Sequence, residues 1–233
     1  MIPLDLIARE KANILRLERS QAELRNWMGM EGATGVDSRD VLDEGHPADG
    51  GVEVDTDGRP PLTGWNRVYT DGSKSEEGTG AAFVEYNGEE EVANGTIRLW
   101  EHCSVFQSEL VAIRGGLRYI KDRPYAYREC DFINDSRSAL EALRTLRRPT
   151  KLIAEIERLR REVLAHTRLR WHWVKAHNGN TGNERADELA KQVTKEEEDA
   201  GFTLTPLRRV KEAVRDRTLR EWQKRWDVSE AGR

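Results

Sequence analysis

Cysteine is nearly absent. Cys103 and Cys130 are the only two in 233 residues, too few for a disulfide scaffold, and neither lies in a metal-binding spacing. Long apolar runs are missing too: no stretch approaches the roughly 18 consecutive apolar residues that a membrane span needs. The opening, Met1-Ile2-Pro3-Leu4-Asp5, lacks the basic segment and apolar block of a secretory signal. The expectation is an intracellular protein, cytoplasmic and/or nuclear, that engages no membrane. What is present, 37% hydrophobic and 34% charged residues, suits a sizeable core under a large solvated surface. The length suits one domain of about 130 to 150 residues with extended termini.

The net charge of −4 hides an asymmetry. Residues 31 to 58 hold nine acids against Arg39 alone, a local −8, so the remainder carries −4 − (−8) = +4. Between Arg144 and Lys175 ten Lys and Arg face three Glu, a local +7 that suits a polyanionic partner as well as a solvated face.

Residues 1–29 read as an amphipathic helical segment, with Leu4, Ile7, Ile14, Leu17, Leu24 and Trp27 roughly on one stripe and Gly29 as a stop. Residues 30–64 have the Gly, Asp and Pro content of an acidic flexible linker, expected to be dispensable. A main domain follows over 65–198, then a basic helical extension over 199–233 after Pro206.

Within the main domain, Arg67–Thr70, Gly80–Tyr86 and Val92–Leu99 read as three short-linked antiparallel strands. Phe106, Leu110, Ile113, Leu117 and Ile120, spaced 4, 3, 4 and 3, mark a helix. Cys130–Asn134 and the alternating Leu169–Val174 read as strands joined through helices, and therefore parallel to the first. The fold expected is α/β: a mixed five-stranded sheet, three antiparallel strands then two parallel, with helices on both faces.

Singly, Asp71-Gly72 reads as a turn pair, Asp135 as a helix N-cap, and Glu109 and Asp187 as solvated helix charges. Jointly they say more. Asp71 and Asp135 end two strands expected to be parallel neighbours, at the edge where open α/β sheets place ligand sites. Four carboxylates crowded there repel one another unless cations neutralise them. All-oxygen ligation selects Mg²⁺ or Mn²⁺, and two such ions can clamp an in-line phosphoryl displacement.

Five stretches carry a resemblance: Tyr69-Thr70-Asp71-Gly72-Ser73, Phe106-Gln107-Ser108-Glu109-Leu110, Ile133-Asn134-Asp135-Ser136, Trp173-Val174-Lys175-Ala176-His177, and Gly182 through Ala190. In this order, over about residues 66 to 196, the chain resembles the type 1 ribonucleases H. Phe106–Leu110, with Trp222-Gln223-Lys224-Arg225-Trp226-Asp227 and Gly232-Arg233 further on, is most similar to the ribonuclease H region of non-LTR (LINE-type) retrotransposon polyproteins. There is no Tyr-x-Asp-Asp polymerase signature.

The resemblance implies hydrolysis of the RNA strand of RNA–DNA hybrids by a two-ion Mg²⁺ mechanism in which Mn²⁺ can substitute. Asp71, Glu109, Asp135 and Asp187 would hold the metal, and His177 would assist proton transfer or product departure. Gly72, Ser73, Ser104, Gln107, Asn134 and Ser136 would meet substrate, with Arg147, Arg148 and Lys151 tracking phosphates. A reverse transcriptase domain of the same or a related polyprotein would be a partner. Two departures stand out: Val105 and Phe106 occupy the place of a cellular Asn, and the basic, Trp-bearing handle is missing between Leu146 and Leu152. The rival from another class is a catalytically silent nucleic-acid-binding or spacer module. A transposase-like nuclease on the same general fold fits the His177-to-Asp187 segment poorly.

Overall fold

The computed structural model describes residues 2–29, 31–40, 51–59, 61, 66–124, 126–147, 149–197 and 199–229. It divides the chain into two compact units, Met1–Ser38 with Thr203–Arg233, and Arg39–Phe202. No helix among the described residues is long and apolar enough to cross a membrane.

The smaller unit joins the two chain termini. Helices α1 (Leu4–Arg19) and α2 (Gln21–Met28) lead to strand β1 (Gly35–Asp37), which pairs in parallel with β8 (Leu204–Pro206) ahead of helix α7 (Leu207–Asp227). The single N-terminal helix expected from the stripe is two, because the Ser20 hydroxyl accepts from Glu23 N–H and starts α2 afresh. Helix α1 packs on α7, where Leu6, Leu17, Val210 and Val214 are buried. Ion pairs Arg9–Glu221 and Arg215–Glu10, both 3.1 Å, and Arg225–Asp5, 2.8 Å, line the seam. The amphipathic segment and the basic extension read at the two ends of the sequence therefore pack on each other.

The larger unit is a six-stranded sheet in the order β2-β7-β6-β3-β4-β5. It comprises β2 (Val54–Gly58), β3 (Asn66–Lys74), β4 (Thr79–Asn87), β5 (Glu90–Leu99), α3 (Val105–Lys121), β6 (Glu129–Asn134), α4 (Arg137–Thr145), α5 (Lys151–Leu164), β7 (Arg168–Val174) and α6 (Thr181–Val193). Strands β3, β4 and β5 are antiparallel; β6 runs parallel to β3 and β7 parallel to β6. This mixed α/β architecture is the one expected. On one face Tyr69, Val84, Ile133 and Val174 pack against Ala186, Leu189 and Ala190 of α6. On the other, α3 lies so close that a Cβ at Gly116 would stand 2.9 Å from Val68 and 3.0 Å from Phe132. Each such large buried side chain contributes about 1.5 to 3 kcal/mol.

The sixth strand is a correction. Part of the stretch read as a linker is structured: β2 pairs in parallel with β7 at Val54↔Trp171 and Asp55↔His172. Val52 is buried, and Arg39 bridges to Thr150. Removing residues 30–64 therefore strips an edge strand. Residues 30, 41–50, 60 and 62–64 of that stretch lie outside the described residues, as do Gly232-Arg233 and Arg148.

Candidate active site

Asp71 is not at a strand end, as the Asp-Gly pair suggested. Strand β3 continues through it to Lys74, pairing Asp71↔Ala82 and Gly72↔Ala81 with β4, and the turn comes at Ser75–Gly78. What ends near Asp71 is the parallel ladder to β6, whose last pair is Thr70↔Asn134. The next residue of the chain after each member of that pair is an aspartate, Asp71 still within β3 and Asp135 just past the end of β6, so the register sets the two side by side. Helix α3 brings the third acid. Its backbone lies against Gly72 so tightly that a Cβ there would stand 2.4 Å from Glu109 N and 2.5 Å from Ser108 Oγ. Only glycine permits that approach.

Asp71, Glu109 and Asp135 each offer a carboxylate oxygen, and these oxygens all lie within 4.8 Å of one another. Burial, followed by repulsion from Asp135 and Asp187, pushes the Asp71 carboxyl up to about 8. Burial, followed by the charge of Asp71, pushes Glu109 up to about 9, against the opposing pull of Asn134. Buried anions this close cannot all ionise cheaply, and their hard oxygens suit a divalent cation such as Mg²⁺. The donor set fits a metal.

Asp187 stands apart from that trio. It lies near enough to raise Asp71, but its carboxylate is held by Lys191 Nζ at 2.6 Å. His177 is exposed on the loop before α6, at φ 51°, a left-handed conformation uncommon for a side-chain-bearing residue.

Several residues expected at the substrate are engaged elsewhere. Ser104 and Gln107 close a capping box on α3, each side chain bonding the other's backbone N–H, and Gln107 is buried. Asn134 is buried and donates to Thr70 O at 2.9 Å and to Glu109 Oε2 at 3.1 Å, so it orients the acid from below. Ser136, not Asp135, caps α4 by accepting from Ala139 N–H, which leaves the Asp135 carboxylate for the cluster. Gly72 and Ser73 are half-buried on β3, Lys151 is half-buried and Arg147 is exposed.

The basic stretch is largely neutralised within the fold. Arg144 bonds Glu141, Arg160 and Arg161 share buried Glu157, Arg168 meets Glu129, and Arg170 grips Asp131. The +7 of the linear sequence overstates what a polyanion meets.

Two neighbours of Asp135 escaped the sequence reading as site residues. Buried Asn183 donates through Nδ2 to Asp135 Oδ2 at 2.9 Å, and Trp173 Nε1 donates to the Asp135 carbonyl at 2.9 Å, with Arg137 stacked 3.8 Å over the indole. The signal for Asn183 was its spacing, one helical turn before Asp187. Asn183→Ala should lower apparent metal affinity about 10- to 100-fold, read by Mg²⁺ titration of activity, as loss of ligand-orienting partners does elsewhere.

A family model, RNase H, matches residues 66–195. The chain belongs to the ribonuclease H family. It is 32% identical over 140 residues to a ribonuclease H of Bradyrhizobium diazoefficiens, covering 53% of this chain and 86% of that protein. It is 29% identical over 147 residues to one from Bartonella quintana, covering 58% and 92%. A Coxiella burnetii ribonuclease H is 32% identical over 137 residues, covering 54% and 86%. This is a metal-dependent family of hydrolases acting on RNA–DNA hybrids, and the acidic trio, with Asp71 and Glu109 buried and Asp135 half-buried, lies inside the matched region.

Proposed function

We propose that this ribonuclease H cuts RNA–DNA hybrids endonucleolytically, leaving 3′-hydroxyl and 5′-phosphate ends, with two Mg²⁺ ions held by Asp71, Glu109, Asp135 and Asp187. The supporting observation is the trio of carboxylates within 4.8 Å. Bound divalent ions supply charge neutralisation and an activated water at neutral pH. The chain's own residues do the rest. Asn134 and Asn183 fix the carboxylates of Glu109 and Asp135, and Lys191 tethers Asp187. His177 presents an imidazole from its exposed loop, whose ring nitrogen would carry a proton. Incubation with end-labelled hybrid, duplex RNA and duplex DNA in Mg²⁺ tests the reading. Cleavage confined to the RNA of the hybrid supports it; cleavage of duplex DNA, or none, rejects it in favour of a transposase-like nuclease or a silent module.

Arg147 and Lys151 have no acidic partner among the described residues and are read as phosphate contacts. Changing both to Ala should weaken hybrid binding and reduce the log–log salt slope by about two units, roughly one per contact. An unchanged slope, measured by anisotropy across a salt series, assigns them to the solvated surface.

A finer reading places the chain in a retrotransposon reverse-transcription protein, with a reverse transcriptase domain as partner. Its support is the spelling of Phe106–Leu110 and of Trp222–Asp227 alone. The relatives reported above are bacterial ribonucleases H. A polymerase reading frame with a Tyr-x-Asp-Asp signature beside the gene supports that placement; unrelated neighbouring genes reject it.

A further inference from the structure

The smaller unit lies outside the residues matched to the family, yet it holds a cleft of about 760 Å³ walled by α2 and α7. Its lining combines one aromatic ring with a row of cations: Trp27 from α2, and Arg209, Arg217 and Arg220 from α7. The Arg217 guanidinium lies 5.3 Å from the Trp27 ring centroid. Trp27 and Arg217 also wall a second cavity of about 270 Å³ against α1, so they form the ridge between the two.

The charges are unequal. Arg209, Arg217 and Arg220 are exposed and have no acidic partner among the described residues. Of the two acids in the lining, Glu212 is taken by Arg208 at 2.7 Å, which leaves Asp216 alone facing three guanidinium groups. The other cations near this seam are already used: Arg9, Arg215 and Arg225 bind Glu221, Glu10 and Asp5.

We propose that the cleft between α2 and α7 binds single-stranded nucleic acid, with Trp27 and Arg217 meeting bases and Arg209, Arg217 and Arg220 meeting successive phosphates. The span favours a strand over a lone phosphate. Arg209 and Arg220 are eleven residues apart on one helix, about 16 Å along its axis at 1.5 Å per residue. Strand phosphates advance about 3.4 Å per nucleotide even when stacked, so several fall within that distance. An indole beside arginines is also the combination that takes unpaired bases, by stacking and by cation–π attraction, whereas a paired duplex hides its base faces. An acidic polypeptide would satisfy the arginines and leave the indole unused.

The test measures anisotropy of a labelled single-stranded DNA oligonucleotide titrated with the full chain bearing Asp135→Asn. This readout does not depend on cleavage, so the binding proposal and the catalytic reading fail separately. Changing Arg209, Arg217 and Arg220 together to Ala should weaken binding at least tenfold near 0.1 M salt and lower the salt slope by about two units, at roughly 0.7 per single-strand phosphate contact. Trp27→Phe should retain binding, and Trp27→Leu should weaken it at an unchanged slope. A matched variant losing Lys11, Arg19 and Lys211, exposed cations of the same unit outside the cleft, should bind like the parent. Equal affinity of the triple-arginine variant, an equal loss in the matched variant, or equally tight binding of polyglutamate each overturns the proposal.

Discussion

Asp135→Asn is expected to abolish hybrid cleavage, by at least about 10⁴-fold, while hybrid binding survives. The substitution is a clean probe because the fold does not depend on the carboxylate. Ser136 caps α4, and Trp173 bonds the main-chain carbonyl of Asp135, which the change leaves in place. Only one negative ligand is removed from a trio whose oxygens lie within 4.8 Å. His177→Ala should instead retain measurable turnover, since a positioned proton carrier contributes about 10²- to 10⁴-fold rather than the whole rate. Parent and His177 variant should both require Mg²⁺ or Mn²⁺. Ca²⁺, larger and looser in geometry, should bind without turnover. Single-turnover cleavage of a labelled hybrid reads all of these, and an Asp135→Asn protein as fast as the parent sinks the metal-clamp assignment.

The site was legible wherever local pattern and topology agreed. The 4, 3, 4, 3 spacing of α3 fixed its buried side, and strand-helix-strand connectivity forced β6 beside β3, so two aspartates could be placed together without coordinates. Offsets of a single residue could not be read. Whether Asp135 or Ser136 caps α4 depends on where the β6 ladder stops, and whether Asn134 meets solvent or Glu109 depends on how closely α3 packs over Gly72. Strand β2 was invisible because its alternation spans only a few residues in a Gly- and Asp-rich background, and its stability comes from β7 main-chain groups more than a hundred residues away. The pairing of α1 with α7 joins opposite ends of the chain, so neither stripe alone could reveal its partner. Summed charge misled for the same reason, because Glu129, Asp131 and Glu141 lie outside the window in which the basic run was counted.

The burial and crowding that suit the trio to a metal should also make the chelated protein less stable as pH rises. In the folded chain the Asp71 and Glu109 carboxyls are raised to about 8 and about 9, while in the unfolded chain both titrate near 4. Between those limits the native state binds more protons than the unfolded state, so unfolding free energy falls with increasing pH. The stabilising protons are fully present below about pH 4 and are lost as pH passes through 8 to 9. For a coupled buried pair the effect is of order a few kcal/mol, or roughly 10 °C in Tm for a chain of this size. Asp71→Asn removes one of the repelling charges, so at pH 8 in chelator it should melt above the parent while being inactive, and its Tm should depend less on pH. Saturating Mg²⁺ should reverse the order by stabilising the parent, about 2.7 kcal/mol at a hundredfold excess over Kd, and should leave the variant nearly unmoved. Melting curves from pH 5 to 9, with and without Mg²⁺, decide it. A parent whose Tm in chelator is flat across that range, or an Asp71→Asn protein that melts below it at pH 8, means that the three acids do not repel one another as their burial and spacing require.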